Sequence, residues 1–198
     1  MRTPEETKRS TLRGLFEAVL GEEAVTLTPV AISTKEIIER GISEVSFSFN
    51  ENKKGKKKKV SIKAIEGKGF VDCLFKGCKE KYSHEHPSLL NINLVDLKVR
   101  PVFSMKRTSA GSDAETDIVL SVRVEERGLA EFKSRSDSII RSAYATTLGA
   151  FQFYINCEMA FNKIKIALSD ARSRNRGDIQ QRCLTDLSKI TEINYFKV

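Results

Sequence analysis

The sequence predicts an α+β domain made of two pseudo-symmetric strand-plus-helix units, βββα-like, with antiparallel strands covered by helices on one face. Two observations carry this. Apolar residues alternate at period two through Val45, Phe47 and Phe49 and again through Val60, Ile62 and Ala64, the pattern of two half-buried strands. Strand-type segments followed by a helical stripe then occur a second time further along the chain, and two similar halves imply a pseudo-twofold.

Taken in order, Leu12, Phe16, Val19 and Leu20 fall at helical spacing within residues 5–20 and stop at Gly21, which predicts a short amphipathic helix. One or two further helical turns are expected after Ser33 and Thr34, through Ile37 and Ile38 to Gly41. Residues 1–42 therefore read as an N-terminal helical extension. The hairpin that starts near Val45 turns within Asn50 to Gly55, so that the lysine-rich stretch is its tip. Gly67-Lys68-Gly69 ends the second strand, and Phe70, Val71, Leu74, Phe75 and Cys78 mark a core-facing helix. After a polar loop with His84, His86 and Pro87, alternation returns at Val95, Leu97, Val99, Pro101 and Phe103, then at Ile118, Leu120, Val122 and Val124. Gly128 permits a turn into a short strand near Leu129 to Phe132, and Ser136 or Ser138 can cap a long helix running to about Leu168. The domain proper thus spans 43–168. A charged break at 169–176 precedes a last helix, so 169–198 reads as a helical tail that packs on this domain or on another subunit.

Composition excludes several classes. In 198 residues, 40% hydrophobic content supports a real core, and no apolar run reaches the roughly 18 residues of a membrane span. The charged N-terminus lacks the apolar segment of a signal peptide, so the expected compartment is the cytoplasm and no membrane partner is expected. Cys73, Cys78, Cys157 and Cys183 show no CxxC pairing and read as reduced, small buried hydrophobes. The net charge of +8 is concentrated: residues 51–59 hold six Lys and one Glu, supplying +5 and leaving +3 elsewhere. Aromatic residues are not interleaved with that charge, which counts against a nucleic-acid module, although a lysine-tip RNA or DNA contact is one alternative class. His84 and His86 have no further ligands at metal spacing and read as solvated loop residues, so no metal is expected. Asp113 and Asp117 have no nucleophile or base placed with them, and no catalytic machinery is visible.

Four ordered motifs across roughly residues 45–160 carry a resemblance. Ala64-Ile-Glu-Gly-Lys-Gly-Phe-Val-Asp-Cys-Leu-Phe-Lys-Gly77 resembles a "GxGPVDAxFxAI" turn and helix; Leu94-Val-Asp-Leu-Lys-Val-Arg-Pro-Val102 is similar to "LxDYxVxAV". Gly111-Ser-Asp-Ala114 and the strand after it are similar to "GTDAxAxVxVxVxxxG", and Ser136-Asp-Ser-Ile-Ile-Arg-Ser-Ala-Tyr144 with Asn156 is similar to "SxDIIxASxxAYxxAxN". These are motifs of the C-terminal allosteric (regulatory, dimerisation) domain of the 2-isopropylmalate synthase and citramalate synthase family, here without the catalytic barrel. The resemblance implies a non-enzymatic module that binds a branched-chain amino acid, leucine or isoleucine, at a dimer-associated pocket and modulates a synthase. It implies pairing with a second copy or with a separate catalytic subunit, and no cofactor.

The ligand-binding residues that it implies are Gly67, Gly69, Phe70, Val71, Asp72, Leu94, Leu97, Pro101, Ala114 and Ile139. A Gly-x-Gly turn before a helix suits a carboxylate, because the free N–H groups and the positive end of the dipole face it. Asp72 and Asp96 are candidates for the ammonium. The chain departs from the family pattern at Phe70, Leu97 and Pro101, and reads Lys133-Ser-Arg135 where the second half usually carries Gly-x-Gly. A dimerisation or scaffold protein that has lost ligand binding is the alternative.

Overall fold

The structure, a computed structural model, describes residues 4–102, 115–125 and 127–196. The amphipathic helix α1 (Pro4–Leu20) forms as expected, with Leu12, Phe16 and Leu20 buried. A short 3-10 turn, Gly21–Glu23, leads into the first departure from expectation. Residues 26–37 are not helical; they form strand β1 (Thr26–Ile37), closed by a 3-10 turn at Ile38–Arg40 and a left-handed Gly41 (φ 60°). The N-terminal extension is therefore helical only in its first half, and β1 belongs to the first sheet.

β1 pairs antiparallel with β2 (Ile42–Lys53), which pairs antiparallel with β3 (Lys56–Gly67). The β2–β3 turn is only Lys54-Gly55, both at positive φ (54° and 71°), as the tightest hairpins require. All of the lysines but Lys54 are thus strand: Lys56 to Lys59 stand exposed opposite Lys53, Asn52, Glu51 and Asn50. The tip itself docks, with Lys54 N–H donating to the Glu22 carbonyl at 2.8 Å.

Helix α2 (Phe70–Tyr82) follows, then a 3-10 segment, then β4 (Ile92–Val102), β5 (Glu115–Val124) and β6 (Gly128–Ser136) in a second antiparallel sheet of order β4-β5-β6. Helix α3 (Ile139–Ser173) and helix α4 (Gly177–Thr191) complete the chain. The architecture is α+β: two three-stranded antiparallel sheets, each followed by a helix, with flanking helices. Among the described residues no helix is long and apolar enough to cross a membrane.

The pairing register shows how closely the units repeat. Each first strand carries one extra residue against its neighbour, Val30 on β1 and Val95 on β4, and the ladder resumes at Ser48 and Ser121. Five positions back on the same middle strands, Ser43 faces Gly67 and Thr116 faces Ser136. The helix N-caps follow two residues later, at Gly69 and Ser138. On β4 the bulge brings Leu94 and Leu97 onto the core-facing side, while Val95 is exposed.

Helix α3 is the centre. Its 35 residues span about 52 Å, and most of residues 142–161 are buried on every side, as in a helix surrounded by protein. Rings lock it to its neighbours: Phe16 to Phe153 at 5.4 Å, Phe47 to Tyr144 at 5.7 Å, Phe75 to Phe151 at 5.0 Å and Phe132 to Tyr154 at 5.9 Å. The C-terminal segment packs on this same chain, with Phe196 stacked on Phe161 at 4.0 Å and Ile190 fully buried. The four cysteines are free and buried, as small core residues.

Two helical glycines make opposite predictions. A Cβ at Gly77 would sit 3.0 Å from the Phe47 ring and 3.2 Å from Ile62, so this glycine sets how closely α2 approaches the first sheet. A Cβ at Gly149 meets nothing within 4 Å. Gly149→Ala is expected to raise stability by about 0.8–1 kcal/mol through helix propensity alone, whereas Gly77→Ala is expected to lower it by about 1–2 kcal/mol through overpacking. Urea midpoints of the two variants check both signs.

Candidate functional site

At the first helix entrance the chain itself fills the expected hollow. Gly67 ends β3 opposite Ser43, Gly69 is the N-cap, and the Gly69 carbonyl accepts the first helical bond from Cys73 N at 3.0 Å. The Asp72 carboxylate folds back over the turn and accepts from Lys68 N–H at 3.3 Å. A Cβ on residue 67 would lie 2.5 Å from that carboxylate and 2.9 Å from Cys73 Sγ. A side chain at residue 67 would therefore displace the Asp72 carboxylate and crowd the Cys73 thiol, and Asp72 presents the negative charge that the helix dipole favours. Gly69 has an extended φ of −171° with open space around it, so neither strain nor crowding demands glycine there. Cys73 Sγ donates to the Ser43 carbonyl at 3.3 Å, and burial pushes its thiol pKa up.

The other implied residues are spread over both units. Val71 is core and Phe70 packs half-buried beside it, while Leu94 and Leu97 lie on β4 of the other sheet. Helix α2 meets β4 at its opposite end, where Lys79 Nζ donates to the Ile92 carbonyl at 2.9 Å. Pro101 pairs in the ladder with Thr116, and Ile139 is 46% exposed at the start of α3. Ala114, like Phe103, Asp113 and the Gly111 loop, lies outside the described residues. Asp96 is exposed and sits 3.7 Å from Lys98. The two grooves described below include none of the implied residues.

The second entrance is not Lys133-Ser-Arg135. Those residues lie inside β6, and the register equivalent of Gly67-Lys68-Gly69 is Ser136-Asp137-Ser138. Hydroxyls replace glycines there. Ser138 Oγ caps the helix by accepting from Arg141 N at 3.3 Å, and Ser136 Oγ lies 2.7 Å from Ser142 Oγ. Asp117 is bound to the Arg135 guanidinium (Nη2 to Oδ2 2.9 Å), and that hydrogen bond holds its carboxyl below the usual range. It is an ion-pair partner, and Glu115 shares the same guanidinium at 3.8 Å.

A groove of about 420 Å³ opens instead between α1, β6 and α3. Arg9 and Arg13 line it from α1, Phe132 and Lys133 from β6, and Thr146 and Gly149 from α3. The Arg9 guanidinium lies over the Phe132 ring at 4.9 Å. A narrower groove of about 110 Å³ shares Arg9 and continues past Gly128 to Tyr154 and Glu192. Sequence reasoning missed both. The i, i+4 pair Arg9 and Arg13 was visible, but its facing wall is more than a hundred residues away.

His86 also departs from expectation: it is 8% exposed, not a solvated loop residue. Beside it Glu158, 6% exposed, accepts from Ser88 N–H at 2.9 Å, and Asn194 Nδ2 donates to Ser88 Oγ at 3.1 Å. Burial holds the His86 pKa below 6.5, against the opposing fields of Glu158 and Glu85. The folded state therefore resists a proton that the unfolded chain accepts, so stability is full above about pH 6.5 and is lost as pH falls below it. The urea midpoint of the wild type is expected to drop more than that of His86→Gln between pH 7.5 and pH 5.5. Among the described residues no cluster of three His, Cys, Asp or Glu is arranged to hold a metal.

No family model and no curated protein matches the chain. What the fold and site define is a class, a duplicated strand-plus-helix α+β module.

Proposed function

We propose that the chain is a regulatory module of the 2-isopropylmalate synthase type, binding leucine or isoleucine at a pocket completed by a second copy and passing that state to a synthase. The observation that supports it most is the register of the duplication, in which both helix entrances stand at the same point of their sheets. At the second of them Ile139 is 46% and Ile140 39% exposed, so a dry aliphatic pocket there needs a covering surface. A second copy related by a twofold supplies one.

Light scattering combined with thermal-shift titration against the twenty amino acids tests the reading. A dimer stabilised by leucine or isoleucine is expected, by about 2.7 kcal/mol at 100 times the dissociation constant. Response to no branched-chain amino acid removes the sensing claim. One observation favours a second reading, a dimerisation or scaffold protein without an effector: the Asp72 carboxylate already sits where the effector's carboxylate would bind. That reading expects a dimer and no ligand response.

A further inference from the structure

The grooves between α1 and β6 have a chemistry that neither reading uses. Three cations and no carboxylate line the wider one among the described residues, and its apolar wall is limited to Phe132, Ala145 and Gly149. An aliphatic amino-acid side chain finds no dry pocket there. Arg9 and Arg13 stand one helical turn apart on the same face, and guanidinium forks match the oxygens of a tetrahedral oxyanion. Lys133 adds a third positive charge from β6, loosely shared with Glu131 at 3.8 Å. The hydroxyls in the floor are already engaged: Thr146 Oγ and Ser134 Oγ lie 2.7 and 2.8 Å from the Ser142 carbonyl and 2.7 Å from each other. Two protons serve three contacts, so the donors that the groove offers a ligand are the three cations and the exposed Ser10 hydroxyl of α1.

The narrower groove adds an independent observation. Tyr154 lines it, yet the residue is fully buried and its hydroxyl has no hydrogen-bond partner among the described residues. An orphaned buried hydroxyl is costly, and a polar ligand atom would satisfy it. The only carboxylate in this groove among the described residues, Glu192, is bound by Lys8 at 2.6 Å and so does not repel an anion.

We propose that the two grooves, joined at Arg9, form one site for a small phosphate monoester, its dianionic head among Arg9, Arg13 and Lys133 and a hydroxyl of its tail on Tyr154. The site is separate from the helix entrances, so its test does not depend on any response to leucine.

Amide NMR titration at constant ionic strength, with inorganic phosphate, glycerol 3-phosphate and malonate as probes, tests this. Saturable shifts are expected at Lys133, Ser134, Thr146 and Gly149, with glycerol 3-phosphate tighter than inorganic phosphate and malonate weakest. Arg13→Gln, at an exposed position, is expected to weaken both phosphates roughly tenfold. Gly149→Met fills the floor and is expected to abolish binding, while Tyr154→Phe weakens glycerol 3-phosphate and leaves inorganic phosphate unchanged. Shifts that fail to saturate, malonate binding as tightly as phosphate, or all three variants binding as the wild type does would each overturn the proposal.

Discussion

Asn156→Leu is expected to destabilise the protein by about 2–6 kcal/mol, because one side chain satisfies both backbone polar groups of a buried residue, Val25. Asn156 Oδ1 accepts from Val25 N–H at 2.8 Å, and its Nδ2 donates to the Val25 carbonyl at 2.9 Å. Leucine matches the volume but leaves a donor and an acceptor without partners, at about 1–3 kcal/mol each. The bond also has a structural task. Val25 is the residue before β1, so Asn156 fixes where the first sheet joins the central helix. Gln152, one turn earlier, repeats the device by accepting from Leu27 N–H at 2.9 Å. Hydrogen exchange separates the local from the global part: the Val25 and Leu27 amides should lose protection in Asn156→Leu before the β2–β3 ladder does. Equal stability of variant and wild type in urea would contradict the pairing.

These same residues mark how far the sequence was legible. Segments with one buried face announced themselves: α1, the β2–β3 hairpin, α2 and β5 all show their period, and Ser138 caps α3 as its residue type suggests. β1 did not, for a physical reason. It is an edge strand with only Leu27 fully buried, so no alternation was imposed on it, and Ser33-Thr34 followed by Gly41 imitates the ends of a helix. The lysines of β3 are exposed on every position from Lys56 to Lys59, so backbone pairing alone makes them strand. The second helix entrance was misplaced by three residues because glycine was expected where hydroxyls do the work.

The candidate site was less legible than the fold. Gly67 was expected to let the backbone approach a ligand, and the atoms that lie nearest to it are those of Asp72 and Cys73. A close-approach glycine reports that something lies near it; the sequence cannot say whether that is a ligand or the next turn of the same helix. The grooves lined by Arg9, Lys133 and Tyr154 are tertiary products of three separated elements, and no local pattern encodes them.

Phe151→Ala tests the claim that α3 is the packed centre, and it is expected to cost about 3–5 kcal/mol. Phe151 is fully buried near the middle of α3, and its ring meets that of Phe75 at 5.0 Å and 60°. Truncation removes the apolar burial of the ring and leaves a cavity whose walls belong to α2 and α3, with a sheet packed behind each, so the site cannot easily collapse. Against a total of about 5–15 kcal/mol for a domain, this is a large fraction. Taking about 2–4 °C per kcal/mol for a chain of this length, the melting temperature should fall by roughly 6–20 °C. Phe75→Ala and the double variant complete a cycle, and a coupling of about 0.5–1.5 kcal/mol is expected from the edge-to-face pair. Phe151→Leu, which keeps most of the volume, should recover more than half of the loss. A melting temperature unchanged within 2 °C in Phe151→Ala would mean that the two units are held together elsewhere than along α3.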